Sequence, residues 1–295
     1  MSSVKNSLRR LFSNRTKAVN RSKSGNLMIF LFIGVIAAYS IIPLFLLISN
    51  SLKPISELYI YPPKWVPINP TFDNYKVLFS LMSSTWIPFS RYIFNTFFVT
   101  IATTALHILI VSLAAYPMAK HTFRGKKLIN TLVMYSLMFV PAVTDVVNYM
   151  TISKLNLINT YAAMIIPNVY YTLGLFLLRN YMTTIPTSLI EAAKMDGCSE
   201  LGILSKVIMP MAKPAWLTLV ILMIQNMWGQ ANNTYVYAEK FKTLPAALSQ
   251  ITTGGLIRIG AGQAVGVIML IVPAIVFIVN QKKMVETMAS SGIKE

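Results

Sequence analysis

The chain has 295 residues, of which 55% are hydrophobic and only 12% charged, with a mean hydropathy of +0.59. A soluble domain carries about 25% charged residues, so a freely soluble globular protein is excluded. The formal charge of +17 does not point to nucleic acid as a partner, because the basic residues sit in short segments between apolar runs rather than across a polar surface.

Residues 1–26 form a Ser/Lys/Arg-rich tail, read as a cytoplasmic end drawn to anionic membrane lipids. The apolar run at 27–48 is too long for the core of a secretory signal and lacks a small-residue cleavage site, so a retained first membrane helix is expected over 27–50. Further runs lie at 92–118, 128–150, 161–178, 214–230 and 259–281, each close to the roughly 20 residues that cross a lipid bilayer as a helix. Only the third holds an Asp, Glu, Lys or Arg, namely Asp145. None shows the alternation of a barrel strand, so the expectation is an all-α, polytopic protein with six transmembrane helices. Residues 51–91 form an outer loop, 92–281 a core of five helices with a long inner loop at 179–213, and 282–295 a C-terminal tail. Eighteen of the 26 Lys and Arg fall on the side that holds both termini, which the positive-inside rule assigns to the cytoplasm.

The outer loop contains YPPKWVPINPTFDNY, whose prolines and aromatics suit an extended segment along the membrane surface or a partner. The inner loop contains EAAKMDGCSE, residues 191–200, with three of the chain's nine acids. It reads as two short helices. Ser188 and Glu191 have the spacing of a capping box, Ala192 and Ala193 leave a flat surface, Gly197 supplies a left-handed corner, and Ser199 caps the second helix. Leu201, Leu204 and Ile208 then fall on one face. A single cysteine, Cys198, excludes an intrachain disulfide.

Glu191-Ala192-Ala193, Asp196-Gly197, Ile208, Pro210 and Pro214 resemble the EAA loop of inner-membrane permease subunits of binding-protein-dependent ATP-binding-cassette (ABC) importers. The family pattern places nine residues between its Gly and Ile; here ten separate Gly197 from Ile208, with Val207 at the expected Ile position and Met209 in place of Leu. NTFFVT from Asn95, AAYPMAKHTFRGKKL from Ala114, LINTYAAMIIP from Leu157 and NMWGQANN from Asn226 are similar to the carbohydrate branch typified by the maltose permease MalG. The likeness runs from Arg91 to the C-terminus, and Trp228-Gly229 stands where the family often has Trp-Asn.

The resemblance implies the type I ABC importer permease fold in a bacterial plasma membrane, with a second homologous permease, two ABC ATPase subunits and an extracytoplasmic sugar-binding protein as partners. It implies that Glu191, Ala192, Ala193, Asp196, Gly197, Ile208 and Pro210 form the ATPase-coupling element. The sequence has no phosphate-binding loop and no metal-ligand spacing, so no catalysis or cofactor is expected in this chain; ATP and Mg belong to the partner ATPases. Asp145, with Asn148 and Tyr149 on a similar face, is a candidate for the substrate pathway, with the outer membrane interface as the alternative. Asn226, Trp228 and Gln230 offer similar chemistry, against plain helix-to-helix bonding. His107 reads as a packed helix contact. A proton-coupled secondary carrier remains the alternative class; it calls for paired intramembrane acids, and only Asp145 is present.

Overall fold

The computed structural model describes residues 23–83, 86–138, 141–231, 234–253, 255 and 258–292. The chain divides into two units, 1–49 and 50–295. In the first, α1 (Lys23–Ser51) is apolar all round, with Pro43 inside it, and its hydrophobic side chains are exposed as lipid-facing ones would be. Most of the basic tail lies outside the described residues.

In the second unit all the regular secondary structure among the described residues is helical. After α2 (Ile55–Leu58) and α3 (Asp73–Ser83) come α4 (Phe89–Lys120), α5 (Lys126–Ser136), α6 (Pro141–Lys154), α7 (Tyr161–Val169) and α8 (Thr172–Thr184). The inner loop holds α9 (Thr187–Met195), α10 (Glu200–Ile203), a π-helical stretch (Leu204–Ile208) and α11 (Met209–Met211). It leads into α12 (Lys213–Gly229), α13 (Leu244–Thr252) and α14 (Ile259–Gly292). Three helices among the described residues are long and apolar enough to cross a membrane, and up to five spans result if each bent pair is one.

Two expected spans are interrupted. The run at 128–150 is divided between α5, which ends at Ser136, and α6, which begins at Pro141, a residue with no amide to donate into a preceding helix. The run at 161–178 bends by 44° between α7 and α8 and continues to Thr184. The last helix continues to Gly292 instead of stopping at the expected 281.

The outer loop departs from the extended form expected of it. Its Glu57 carboxylate accepts from the Ile68 and Asn69 amides, both at 2.9 Å, and the Thr71 amide donates to Leu52 O at 2.8 Å. Asn74 then donates to the Ser51 and Lys53 carbonyls, which seats α3 on the loop's base. Neither α3 nor α13 stands out in the hydropathy pattern, because each is too short for a span.

Helix α4 packs against α7, α8, α12 and α13. It buries a polar stripe that includes Asn95, Thr96, Thr100, Thr103 and His107, as expected where small and polar residues mediate helix association without a hydrophobic driving force. The imidazole Nδ1 of His107 lies 2.7 Å from Val169 O, the carbonyl at the end of α7. Gly174 on α8 permits this approach, since a Cβ there would collide with the His107 ring. Gly174→Ala should therefore lower stability by about 1–3 kcal/mol through overpacking; an unchanged thermal unfolding midpoint in detergent would contradict the close packing.

Candidate functional site

Three chain interruptions converge on one cavity of about 690 Å3. Ser136 and Leu137 come from the break between α5 and α6, Tyr170 and Tyr171 from the bend between α7 and α8, and Gln230 and Ala231 from the end of α12. Backbone groups freed at such breaks need partners, and a polar, wet cavity can supply them.

Asp145 and Asn148 on α6, Asn226 on α12 and Gln230 just past its end all line this cavity. The Asn148 amide donates to the Tyr170 hydroxyl at 2.7 Å, and the Gln230 amide to Asn226 Oδ1 at 3.1 Å. Asp145 is exposed to the cavity and has no ion-pair partner among the described residues. Burial, and then the Asp145 charge, push the Tyr235 phenol up.

Two of the sequence candidates sit elsewhere. Tyr149 stacks on Tyr235 with ring centroids 6.5 Å apart, behind the lining. Trp228 is buried and turned the other way, its indole N–H donating to Met269 O at 3.0 Å and its ring edge-on to Phe97. That is the helix-to-helix alternative, and it follows from an indole N–H needing a partner when buried. Asn168 and Tyr170 line the cavity although neither is a candidate on sequence grounds; each stands beside the break after Pro167, and that proline is the available signal.

The inner loop forms a cornered hairpin. Helix α9 starts at Thr187 with Pro186 at the N-cap and no side-chain cap, so the capping box expected at Ser188 and Glu191 is absent. Pro186 sets the entry, which places Ser188 one residue inside the helix rather than before it. At the other end the corner is as expected. Gly197 has φ +77°, its amide bonds to Lys194 O, and the Cys198 amide bonds to Ala193 O, both at 3.0 Å, a Schellman closure. Ser199 Oγ then accepts from the Gly202 amide at 3.2 Å, capping α10.

Glu191, Ala192, Asp196, Gly197 and Pro210 are exposed, while Ala193 and Ile208 are buried with Ile190, Ile203 and Leu204 against α4 and α8. Leu201, expected on that inner face, is 68% exposed. The π-helical stretch accounts for the burial of Ile208. It accommodates one more residue per turn, so the extra residue between Gly197 and Ile208 is absorbed and Ile208 still reaches the core.

Glu200 makes a contact that the sequence does not announce. Its carboxylate accepts from Lys194 at 2.7 Å and from the Tyr116 hydroxyl of α4 at 2.8 Å, with His121 Nε2 at 3.3 Å. Tyr116 is 84 positions away in the chain, so no local spacing marks the pairing. The Lys194 and Tyr116 hydrogen bonds hold the Glu200 carboxyl down to about 2. Among the described residues no group of three or more His, Cys, Asp or Glu could hold a metal.

A family model described as "Binding-protein-dependent transport system inner membrane component" matches residues 18–285. The sulfoquinovosyl glycerol transport system permease protein SmoH of Agrobacterium fabrum is 31% identical over 283 residues, covering 92% of this chain and 95% of that one. The arabinooligosaccharides transport system permease protein AraQ of Bacillus subtilis is 28% identical over 276 residues, 90% of this chain and 94% of its own. Among solved structures, a chain of a bacterial ABC transporter involved in import of the acidic polysaccharide alginate shares the fold, with TM-score 0.73 and 22% identity over 90% of this chain and 99% of that chain.

A carboxyl depressed in the folded state contributes stability above its unfolded value of 4.5 that is lost as pH falls toward about 2. Solvent screens this half-exposed group, so its worth is about 1 kcal/mol or less. Hydrogen exchange across the hairpin, corrected for intrinsic rates, should be flat from neutral pH down to about 4.5 and rise below it; a rise already near neutral pH would show that Glu200 does not hold the hairpin.

Proposed function

From its membership of the family of binding-protein-dependent inner-membrane transport components, shown by the match over residues 18–285, we propose that this chain forms half of a sugar pathway and is driven through its EAA hairpin by separate ATPases. The observation that carries the pathway reading is the cavity at the three interruptions, whose amide, hydroxyl and phenol groups match the alternating polar and apolar faces of a saccharide. Related chains named for sugar transport support the cargo class.

The coupling reading is supported by the hairpin's division of surface. Glu191, Ala192 and Gly197 face outward where an ATPase subunit can approach, while Ile190, Ala193 and Ile208 fix the hairpin to the helix bundle. A second, similar permease completes the pathway, two ATPases bind and hydrolyse ATP with Mg, and an extracytoplasmic binding protein delivers the sugar. The hairpin side is cytoplasmic, in keeping with the distribution of Lys and Arg.

Asp145→Ala should reduce sugar uptake in reconstituted vesicles while leaving assembly and basal ATP hydrolysis near normal; unchanged uptake across sugar concentrations would return Asp145 to a membrane-interface role. Gly197→Val should be the more damaging change in the hairpin, because the left-handed corner costs a non-glycine residue roughly 1–2 kcal/mol and a branched one more. Its expected signature is an assembled complex in which sugar-stimulated ATPase activity and uptake both fall. Wild-type values of both in that variant would remove the hairpin from the coupling path.

A further inference from the structure

The electrostatics of the cavity narrow the cargo further, on the premise that the cavity is the sugar pathway. Its described lining contains one ionisable carboxylate, Asp145, and no Lys, Arg or His. The chain does not lack bases, since Lys126, Lys127 and Arg179 line a different cavity of similar volume. They are kept out of this one.

Amide groups on Asn148, Asn226 and Gln230 and the phenols of Tyr170 and Tyr235 can donate to or accept from hydroxyls equally well, and none offers an anion a full positive charge. A carboxylate or sulfonate entering the cavity would lose part of its hydration, meet no counter-charge from this chain's lining and lie within reach of Asp145. A hydroxyl would meet hydrogen-bonding groups of both kinds, and a protonated amine would gain from the Asp145 charge. We propose that the saccharide carried by this pathway is neutral or amino-bearing, and that Asp145 is a specificity-determining residue that disfavours uronates and other anionic saccharides.

Galacturonate trisaccharide and its fully methyl-esterified form differ in charge while keeping the same ring stereochemistry. The assembled transporter, with its partner permease and ATPases but without the binding protein, is titrated with each by calorimetry. The ester should bind about tenfold more tightly than the acid, and Asp145→Asn should remove most of that difference. Equal affinities, tighter binding of the acid, a difference that persists in Asp145→Asn, or no binding of the ester each overturn the proposal. Asn226→Leu separates this from failure of the pathway reading. If the pathway is correctly placed, that change weakens both forms whatever their charge preference; if neither affinity responds to it, the sugar does not pass this cavity.

Discussion

A chain this apolar can interrupt a helix only where something replaces the backbone hydrogen bonds that the interruption frees. That constraint organises the second unit. The carbonyl of Val169, left at the end of α7, is met by His107 from α4. The turn at Asn159 is closed by its side-chain oxygen, which accepts from the Tyr237 and Ala238 amides at 2.6 and 2.8 Å. The amide of Leu244, at the start of α13, donates to Thr96 Oγ1 at 2.7 Å. In each of these three places a polar side chain ties an irregular segment to a part of the fold distant in sequence.

The same constraint gives α4 a polar buried side. Asn95 donates to the carbonyls of Lys240 and Lys242 and accepts from the Tyr161 hydroxyl, and so joins α4, α7 and the segment before α13. Tyr92 donates to Glu239, whose carboxylate also takes Lys242 at 2.6 Å. Removing one member of such a network leaves its partners buried and unpaired, which costs more than the bond itself contributes. At the far end of the same helix Tyr116 holds Glu200. One helix thus fixes both the segment beside the cavity and the hairpin.

Hydropathy makes the all-α membrane class legible, because long uncharged apolar runs repeated along a chain are stable in lipid and insoluble in water. It does not show where a run breaks. Pro141 and Pro167 are visible, but proline is tolerated inside membrane helices when neighbours meet the freed groups, as Pro43 and Pro117 are here, so the residue type does not separate a kink from an interruption. Gly197 and Ser199 are legible since their roles depend on neighbours one to five positions away. Ser188 is misleading because Pro186 competes for the same helix start. Trp228 and Asn226 are two residues apart, about 200° around a helix, and therefore face opposite ways, which polarity alone does not reveal. The Glu200–Tyr116 contact and the outer helices α3 and α13 depend on tertiary packing and leave no periodic trace.

On the proposed reading, α12 is the part that connects driving force to cargo. It has 17 residues, about 25 Å at 1.5 Å per residue, and carries no interruption of its own. One end meets α11 at a 79° bend between Pro210 and Pro214, where Trp216 braces the corner by donating to Met209 O at 3.1 Å. The other end delivers Asn226 and Gln230 to the cavity. Pro210 and Pro214 have no amides to add to the ladder at the bend, which leaves the corner to the Ala212 and Trp216 bonds. The rod itself is stiff. On that reading a shift of the hairpin would be passed along α12 to the amide groups that line the cavity, while α6 and Asp145, on a helix separate from α5, need not follow. The cavity would change shape by moving one wall against another, and the interruptions that line it are what leave the walls free to do so.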